Sequence, residues 1–144
     1  CDVQHIYSTR GAFAAVKSSG GVVTWGDPDF GGNSGDPDFW GNSSAVQEQL
    51  ASDVRHIYST RAAFAAVKSS GSVVAWGLPG TGGNCSEVQE RLTSDVQHIY
   101  STGGAFAAVK RAGNVVTWGL ASIGGDCSAV QQQLASDVQR IYST

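Results

Sequence analysis

Short runs of β-branched, aromatic and small residues recur in the same order along the chain, separated by glycine-rich breaks. The run Val-x-x-Ile-Tyr-Ser-Thr is typical of a β-strand, because such side chains fit a pleated surface. Ala-Phe-Ala-Ala-Val-Lys follows after a short break, and Val-Val-x-Trp-Gly follows after a turn that contains glycine. Since glycine and asparagine readily supply the positive φ of hairpin turns, the pattern predicts three consecutive strands joined by tight turns.

A fourth element is predicted where a glycine-rich loop leads into Ser-x-Val-Gln-x-x-Leu. The serine can cap a helix, and the glutamine three residues later would complete a capping box. The valine and leucine, four residues apart, share one face. About two turns of helix are too short to be stable alone, so we expect this face to dock on the strands. The capping serines are Ser44, Ser86 and Ser128.

These four elements form one unit that is repeated along the chain. The Asp-Val pair that opens the unit recurs at Asp2, Asp53, Asp95 and Asp137, at spacings of 51, 42 and 42 residues. The first spacing is longer because residues 26–34 are nearly copied at 35–43. The sequence therefore predicts a single repeat domain, 1–144, with repeats at 1–52, 53–94 and 95–136 and the first strand of a fourth at 137–144.

Phenylalanine and tryptophan occupy fixed positions in the second and third strands, where we expect them to supply most of the buried apolar area. A single unit of this size cannot bury both of its faces, so stacking against neighbouring units is expected to stabilise the array. The aromatic positions are Phe13, Phe64, Phe106, Trp25, Trp76 and Trp118.

The middle of each unit resembles a known repeat. Ala-Phe-Ala-Ala-Val-Lys, a glycine turn, Val-Val-x-Trp-Gly and a Gly-Gly loop look like the repeat of the regulator of chromosome condensation family. They are more similar still to tandem repeats in predicted dinoflagellate and bacterial proteins. The resemblance implies a β-propeller, but propellers close with roughly four to eight blades. We therefore expect a mainly β fold with short helices, as an open propeller-like arc or a compact stack of β-repeats. The exchange-factor activity of the family's founding member is not carried over, because no residue pattern here matches the contact surface of that protein.

Composition narrows the classes of partner. The formal net charge is −3 and only 15 % of residues are charged, whereas a nucleic-acid surface needs dense Lys and Arg. No apolar run approaches the ~20 residues that cross a bilayer. We expect a soluble protein without a membrane-spanning segment, in a compartment that the sequence leaves open. Because the chain contains no methionine, we expect a processed product or a fragment of a longer chain.

The three cysteines leave at least one thiol unpaired within the chain. Cys85 and Cys127 occupy the same place in successive repeats, and such positions usually lie farther apart than the ~4.4–6.8 Å between Cα atoms that a disulfide needs. The third is Cys1. The pattern favours free thiols and leaves a Cys85–Cys127 bond as the alternative.

Four carboxylates in the duplicated loop are the candidates for a metal site: Asp27, Asp29, Asp36 and Asp38. Closely spaced carboxylates among Gly and Asn suit a hard cation such as calcium. The spacing fails the EF-hand pattern, and Asp-Pro pairs are also typical of exposed turns. We favour the turn and keep calcium as the alternative; no other cofactor is expected.

Two sequences match the acceptor pattern for N-glycosylation, Asn42-Ser43-Ser44 and Asn84-Cys85-Ser86. They would be modified only in a secretory compartment. The third repeat has Asp126 in their place, which favours a turn-and-cap role for all three.

Histidine recurs in the first strand at His5, His56 and His98, but Arg140 replaces it in the fourth copy. A metal ligand or general base would not tolerate arginine, so we expect these histidines at the surface or packed on tyrosine. No Ser/His/Asp or Cys/His set occurs only once, as a catalytic set would. No catalytic residue is therefore assigned, and we expect no enzymatic activity.

The favoured hypothesis is a non-enzymatic repeat scaffold that acts as a protein-interaction module or as an accessory subunit of a larger assembly. One version of it places the protein at the periphery of a photosynthetic membrane complex, such as a photosystem. The first alternative is a fragment of a longer extracellular or homopolymeric array, glycosylated or calcium-binding. The second is a lectin-like small-molecule module that uses the repeated tryptophans.

Overall fold

The computed structural model describes residues 2–33, 35 and 42–143. Each repeat forms one three-stranded antiparallel sheet whose strand order follows the chain, which we call a blade. Blade 1 contains β1 (Val3–Ser8), β2 (Ala12–Lys17) and β3 (Val22–Gly26); blade 2 contains β4 (Val54–Ser59), β5 (Ala63–Lys68) and β6 (Val73–Gly77); blade 3 contains β7 (Val96–Ser101), β8 (Ala105–Lys110) and β9 (Val115–Gly119). The mainly β fold predicted from the sequence is confirmed.

The register is the same in all three blades, so that equivalent side chains meet at equivalent places. In blade 2, Phe64 lies opposite Trp76 across β5 and β6, and their rings stack with centroids 5.2 Å apart. The pairing of β4 with β5 shifts register between Val54 and His56. The same shift occurs in the first strand of the other two blades.

The core lies between the blades. The first strands of blades 2 and 3 each pack against the blade before them. One buried apolar cluster fills the space between blades 1 and 2, and a second cluster fills the space between blades 2 and 3. Backbone hydrogen bonds also cross between blades: Arg10 N–H donates to the carbonyl of Arg61 at 3.0 Å, and Arg61 N–H donates to that of Gly103 at 3.1 Å. Stacking of neighbouring units therefore buries what a single unit leaves exposed.

The connecting helices are short 3-10 helices: Pro28–Phe30, Ser44–Val46, Pro79–Thr81, Ser86–Leu92, Ala121–Ile123 and Ser128–Val130. The predicted capping boxes are wrong. The backbone N–H of Ser44 bonds instead to Oδ1 of Asn42 at 2.5 Å, and the residues at the corresponding places in the other repeats do the same. The capping box would need the Ser44 hydroxyl to accept from the N–H of Gln47, but that N–H bonds to the carbonyl of Ser44 at 3.4 Å and the hydroxyl donates to Oδ1 of Asn33 at 3.0 Å. The predicted docking is confirmed in the first two repeats, where Leu50 and Leu92 are fully buried, whereas Leu134 in the third is half-buried.

The start of the fourth copy docks like the others but forms no strand in residues 137–143. Asp137 has a φ of 64°, matching Asp53 and Asp95 at 65°, and Val138 N–H donates to the carbonyl of Gly113 at 3.0 Å. A first strand pairs with the second strand of its own repeat, and residues 137–143 have no such strand beside them in the part of the chain that the structure describes. The backbone groups that would pair therefore have no ladder to join.

Candidate interaction surface at the two ends of the array

Five large apolar side chains cover the outer face of blade 1, which we call the leading face. They are 42–59 % exposed: Val3, Ile6, Phe13, Val23 and Trp25. Each has an equivalent in blades 2 and 3 that is 0–6 % exposed: Val54, Ile57, Phe64, Val74, Trp76, Val96, Ile99, Phe106, Val116 and Trp118. The leading face has the composition of a blade-to-blade interface, and no other blade among the described residues covers it.

The internal interfaces show what such a face binds. The Phe64 ring lies over Gly31, where a Cβ atom would come within 2.7 Å of the ring. The Trp76 ring beside it donates its Nε1–H to the carbonyl of Gly31 at 3.0 Å. Phe106 covers Gly82 in the same way, and Trp118 Nε1 donates to its carbonyl at 3.0 Å. Each interface thus has a Phe–Trp ring pair seated on a loop glycine that follows the preceding blade.

The opposite end of the array carries the receiving half of this arrangement, which we call the trailing face. Gly124 takes the place of Gly31 and Gly82, and a Cβ atom there would meet nothing within 4 Å. A groove of about 480 Å3 opens beside it, lined by apolar side chains that follow β9 in the third repeat and include Ile123, Val130 and Leu134. Where blade 2 receives blade 3, the leucine equivalent to Leu134 is fully buried.

A row of alternating histidine and tyrosine side chains runs across the first strands from one end to the other. Tyr7 Oη lies 3.3 Å from Nδ1 of His56, and Tyr58 Oη lies 3.1 Å from Nδ1 of His98. Burial lowers the pKa of His56, and the charges of His98 and His5 lower it further. The expected packing of histidine on tyrosine is confirmed, with His56 and Tyr58 ring centroids 4.6 Å apart.

This pKa shift predicts that acid destabilises the fold. Since the pKa of His56 is lower in the folded chain than its ordinary 6.5, the unfolded chain binds more protons as the pH falls through that value. Stability is therefore present at higher pH and is lost below about 6.5. We expect the melting temperature to fall between pH 7.5 and 5, and to fall less in His56→Gln. Tyr7→Phe, which removes the hydroxyl partner but keeps the imidazole, is expected to keep the dependence on pH. An unchanged pH profile in His56→Gln would contradict this assignment.

The aspartates predicted as metal ligands are only partly described by the structure. Asp27 accepts a hydrogen bond from the backbone N–H of Asp29 at 3.0 Å and caps the helix Pro28–Phe30, as an Asp-Pro turn does. Asp36 and Asp38 lie outside the described residues. Within residues 2–33, 35 and 42–143, no group of three His, Cys, Asp or Glu side chains is placed to hold a metal ion. The calcium site stays a prediction.

The two candidate glycosylation residues differ in accessibility. Asn42 is 5 % exposed, whereas Asn84 is exposed and accepts from Ser86 N–H at 2.9 Å. Asp126 makes the same bond to Ser128 N–H at 2.8 Å, and its pKa is lowered by this bond and by the Ser128 hydroxyl. Glycosylation itself stays a prediction.

A polar cleft of about 520 Å3 lies between blades 2 and 3, and both Cys85 and Cys127 line it. Both thiols are free, so the favoured alternative for the cysteines is confirmed. Cys85 is buried, which raises the pKa of its thiol, and Sγ donates to Oε1 of Gln89 at 3.1 Å. A buried thiol held in this way is a poor nucleophile.

Sequence reasoning assigned the repeated tryptophans to the core and did not separate Trp25 from the others. The signal was present, because the printed sequence holds no earlier repeat that could cover the aromatic residues of repeat 1–52. Trp76 and Trp118 are buried and hydrogen-bonded, so only Trp25 among the described tryptophans offers a ring to a ligand.

No model of a known protein family matches the chain, and no curated protein matches it. Solved structures do share its fold. They include Kap60 bound to yeast RCC1 (Prp20), at 14 % identity and a TM-score of 0.54, covering 81 % of this chain and 29 % of that one. Prp20p from Saccharomyces cerevisiae matches at 21 % identity and a TM-score of 0.56, covering 82 % and 31 %. Human WBSCR16 matches at 19 % identity and a TM-score of 0.51, covering 81 % of this chain and 34 % of that one.

These likenesses define the fold of the array. The chain consists of RCC1-like repeats in a propeller-like arrangement of blades, as the resemblance implied. It spans about a third of the length of the structures it matches. Across the part of the chain that the structure describes, no helix is long and apolar enough to cross a membrane.

Proposed function

We propose that this protein is a non-enzymatic interaction module that binds another protein through its leading face. The exposure of Phe13 and Trp25, at 45 % and 42 %, carries the proposal. Contiguous exposed apolar side chains mark interaction sites, and buried aromatic rings contribute most of the energy of protein interfaces. The rings are already stacked, with centroids 5.3 Å apart, so these two side chains lose little conformational entropy on binding.

The structural neighbours support a protein partner. One is described in complex with Kap60, and another by its binding to Gsp1p and histones. Those partners belong to those proteins; what this chain shares with them is the fold, an array of blades. The net charge of −3 and the apolar leading face favour a protein over a nucleic acid. The recurrence of the histidine and serine candidates with the scaffold supports a role without catalysis.

A narrower version makes the protein an accessory subunit of a larger assembly, peripheral to a photosynthetic membrane complex. An apolar face that is covered only in an assembly fits an accessory subunit. The photosynthetic association rests on the sequence resemblance to dinoflagellate repeats alone, and identification of the bound partner would test it.

Photo-crosslinking from the leading face tests the proposed function. The full chain carries benzoylphenylalanine in place of Trp25 and is mixed with an extract of its source cells under ultraviolet light. We expect protein adducts heavier than the 14.9 kDa chain, with the partner identified by mass spectrometry. The matched control carries the same probe at Arg55, an exposed position on the middle blade. Equal adduct yields from positions 25 and 55 would contradict the proposal.

A further inference from the structure

The leading and trailing faces are the two halves of one interface. The exposed Phe13 and Trp25 rings stack with their centroids 5.3 Å apart and an interplanar angle of 21°. The docked Phe64 and Trp76 rings have a centroid distance of 5.2 Å and an interplanar angle of 24°. The exposed pair therefore already has the geometry of a docked one. It lacks only the loop glycine of a preceding blade.

The trailing face supplies that glycine in the required conformation. Gly124 has a φ of +106°, close to the +94° of Gly31 and the +101° of Gly82, both of which lie under aromatic rings. Its carbonyl corresponds to the ones that accept the indole N–H of Trp76 and Trp118. The groove of about 480 Å3 beside it lies where a ring pair from a following blade would sit.

Polar groups at the two ends are complementary in the same register. The histidine–tyrosine row begins with His5 on the leading side and ends with Tyr100 on the trailing side, so a following copy would place His5 against Tyr100. The backbone series that joins Arg10 to Arg61 and Arg61 to Gly103 likewise ends at Gly103. One docking step thus continues the apolar, side-chain and backbone contacts together, and another blade of this sequence satisfies all of them.

We infer that the partner bound by the leading face is a second copy of this chain, docked head to tail with Phe13 and Trp25 on Gly124 of its neighbour. This inference rests on the proposed function and names its partner. Such an interface is heterologous, since a different surface is used by each copy, so it builds rings or open chains instead of a symmetric pair.

The tail of the chain lies beside the receiving groove and must move. Ile141 is half-buried and Tyr142 is 86 % exposed, whereas Ile57 and Ile99, equivalent to Ile141, are 1 % exposed. An incoming β1 arrives already paired with β2, but the tail has no second strand to hold it. The incoming strand therefore displaces the tail from the trailing face.

Mixing two variants of the full chain tests this inference. Trp25→Ala damages the leading face and keeps the trailing face, whereas Gly124→Ala places a Cβ where the incoming Phe13 ring would lie. Wild-type chain is expected to form multiples of 14.9 kDa in sedimentation equilibrium as its concentration rises. Each variant alone is expected to associate roughly ten- to a hundredfold more weakly. The mixture is expected to regain a single interface and stop at a one-to-one dimer.

The controls separate this inference from simpler alternatives. Gly80→Ala, at an exposed loop glycine whose Cβ would meet nothing within 4 Å, is expected to associate like wild type. Circular dichroism confirms that each variant is folded, and Phe13→Ala provides a second leading-face variant. Pairing of two leading faces would be insensitive to Gly124→Ala, and that result would overturn the head-to-tail assignment.

A wild-type chain that stays monomeric at every concentration would also overturn the inference. If the probe at position 25 then formed adducts with a different protein, the proposed function would stand without it. If that probe formed no protein adduct at all, both would fail.

Discussion

Phe64→Ala is expected to lower the free energy of unfolding by about 3–5 kcal/mol. Phe64 is fully buried between blades 1 and 2, stacked on Trp76 and seated on Gly31. Removing its ring leaves a cavity between two sheets that meet largely through this cluster, and the surrounding backbone cannot close it without shifting a blade. Denaturant unfolding, followed by both fluorescence and circular dichroism, measures the loss and tests whether the transition is two-state.

Phe13→Ala is the matched control, because the array repeats the same residue in the same local sequence. Phe13 stacks on Trp25 at 5.3 Å as Phe64 does on Trp76, yet it is 45 % exposed. We expect a loss of about 0.5–1.5 kcal/mol, the contribution of the aromatic pair within a blade. The measurement is made at a concentration where the chain is monomeric, so that no second copy covers the ring. Equal losses in the two variants would mean that the rings stabilise each sheet and not the stack of blades.

The strands and their order could be predicted because each one carries its own signal. Residues with strand propensity in β2 and β3 are separated by a glycine turn, so the hairpin is encoded over a dozen residues and depends little on tertiary context. The repeat strengthens the prediction of strands, because the same pattern of residues occurs in all three units. The docking of Leu50 and Leu92 follows from the same logic, because two apolar residues four apart on a short segment need a surface to cover.

The predictions that were wrong concern features that depend on the neighbours of each unit and not on its own sequence. The helix begins one residue earlier than predicted, at Ser44, and Asn42 accepts from the N–H of Ser44, so that Ser44 is no longer in the capping position. The tail has the sequence of a strand but lacks the second strand that would pair with it. The candidate interaction surface was missed for the same reason: Phe13 and Phe64 have identical local sequences, and only their position in the array exposes one and buries the other.

Gly82→Ala is expected to lower the free energy of unfolding by about 2–6 kcal/mol, through two separable effects. The residue has a φ of +101°, which an L side chain adopts at a cost of about 1–3 kcal/mol. The new Cβ would also lie 2.5 Å and 2.7 Å from the Cδ2 and Cε2 atoms of Phe106. Since Phe106 is buried and stacked near Trp118, its ring cannot turn away without opening the interface between blades 2 and 3.

Gly124→Ala separates the two effects, because Gly124 has a φ of +106° and open space around its Cβ position. In the monomer it is expected to lose only the backbone term, about 1–3 kcal/mol. The difference between the variants then measures the contact of a phenylalanine ring with a loop glycine. That contact occurs at both internal interfaces, and it is also what a second copy would make on the trailing face. Equal losses would show that the glycines are needed for their φ alone, and that side chains larger than hydrogen fit between the blades.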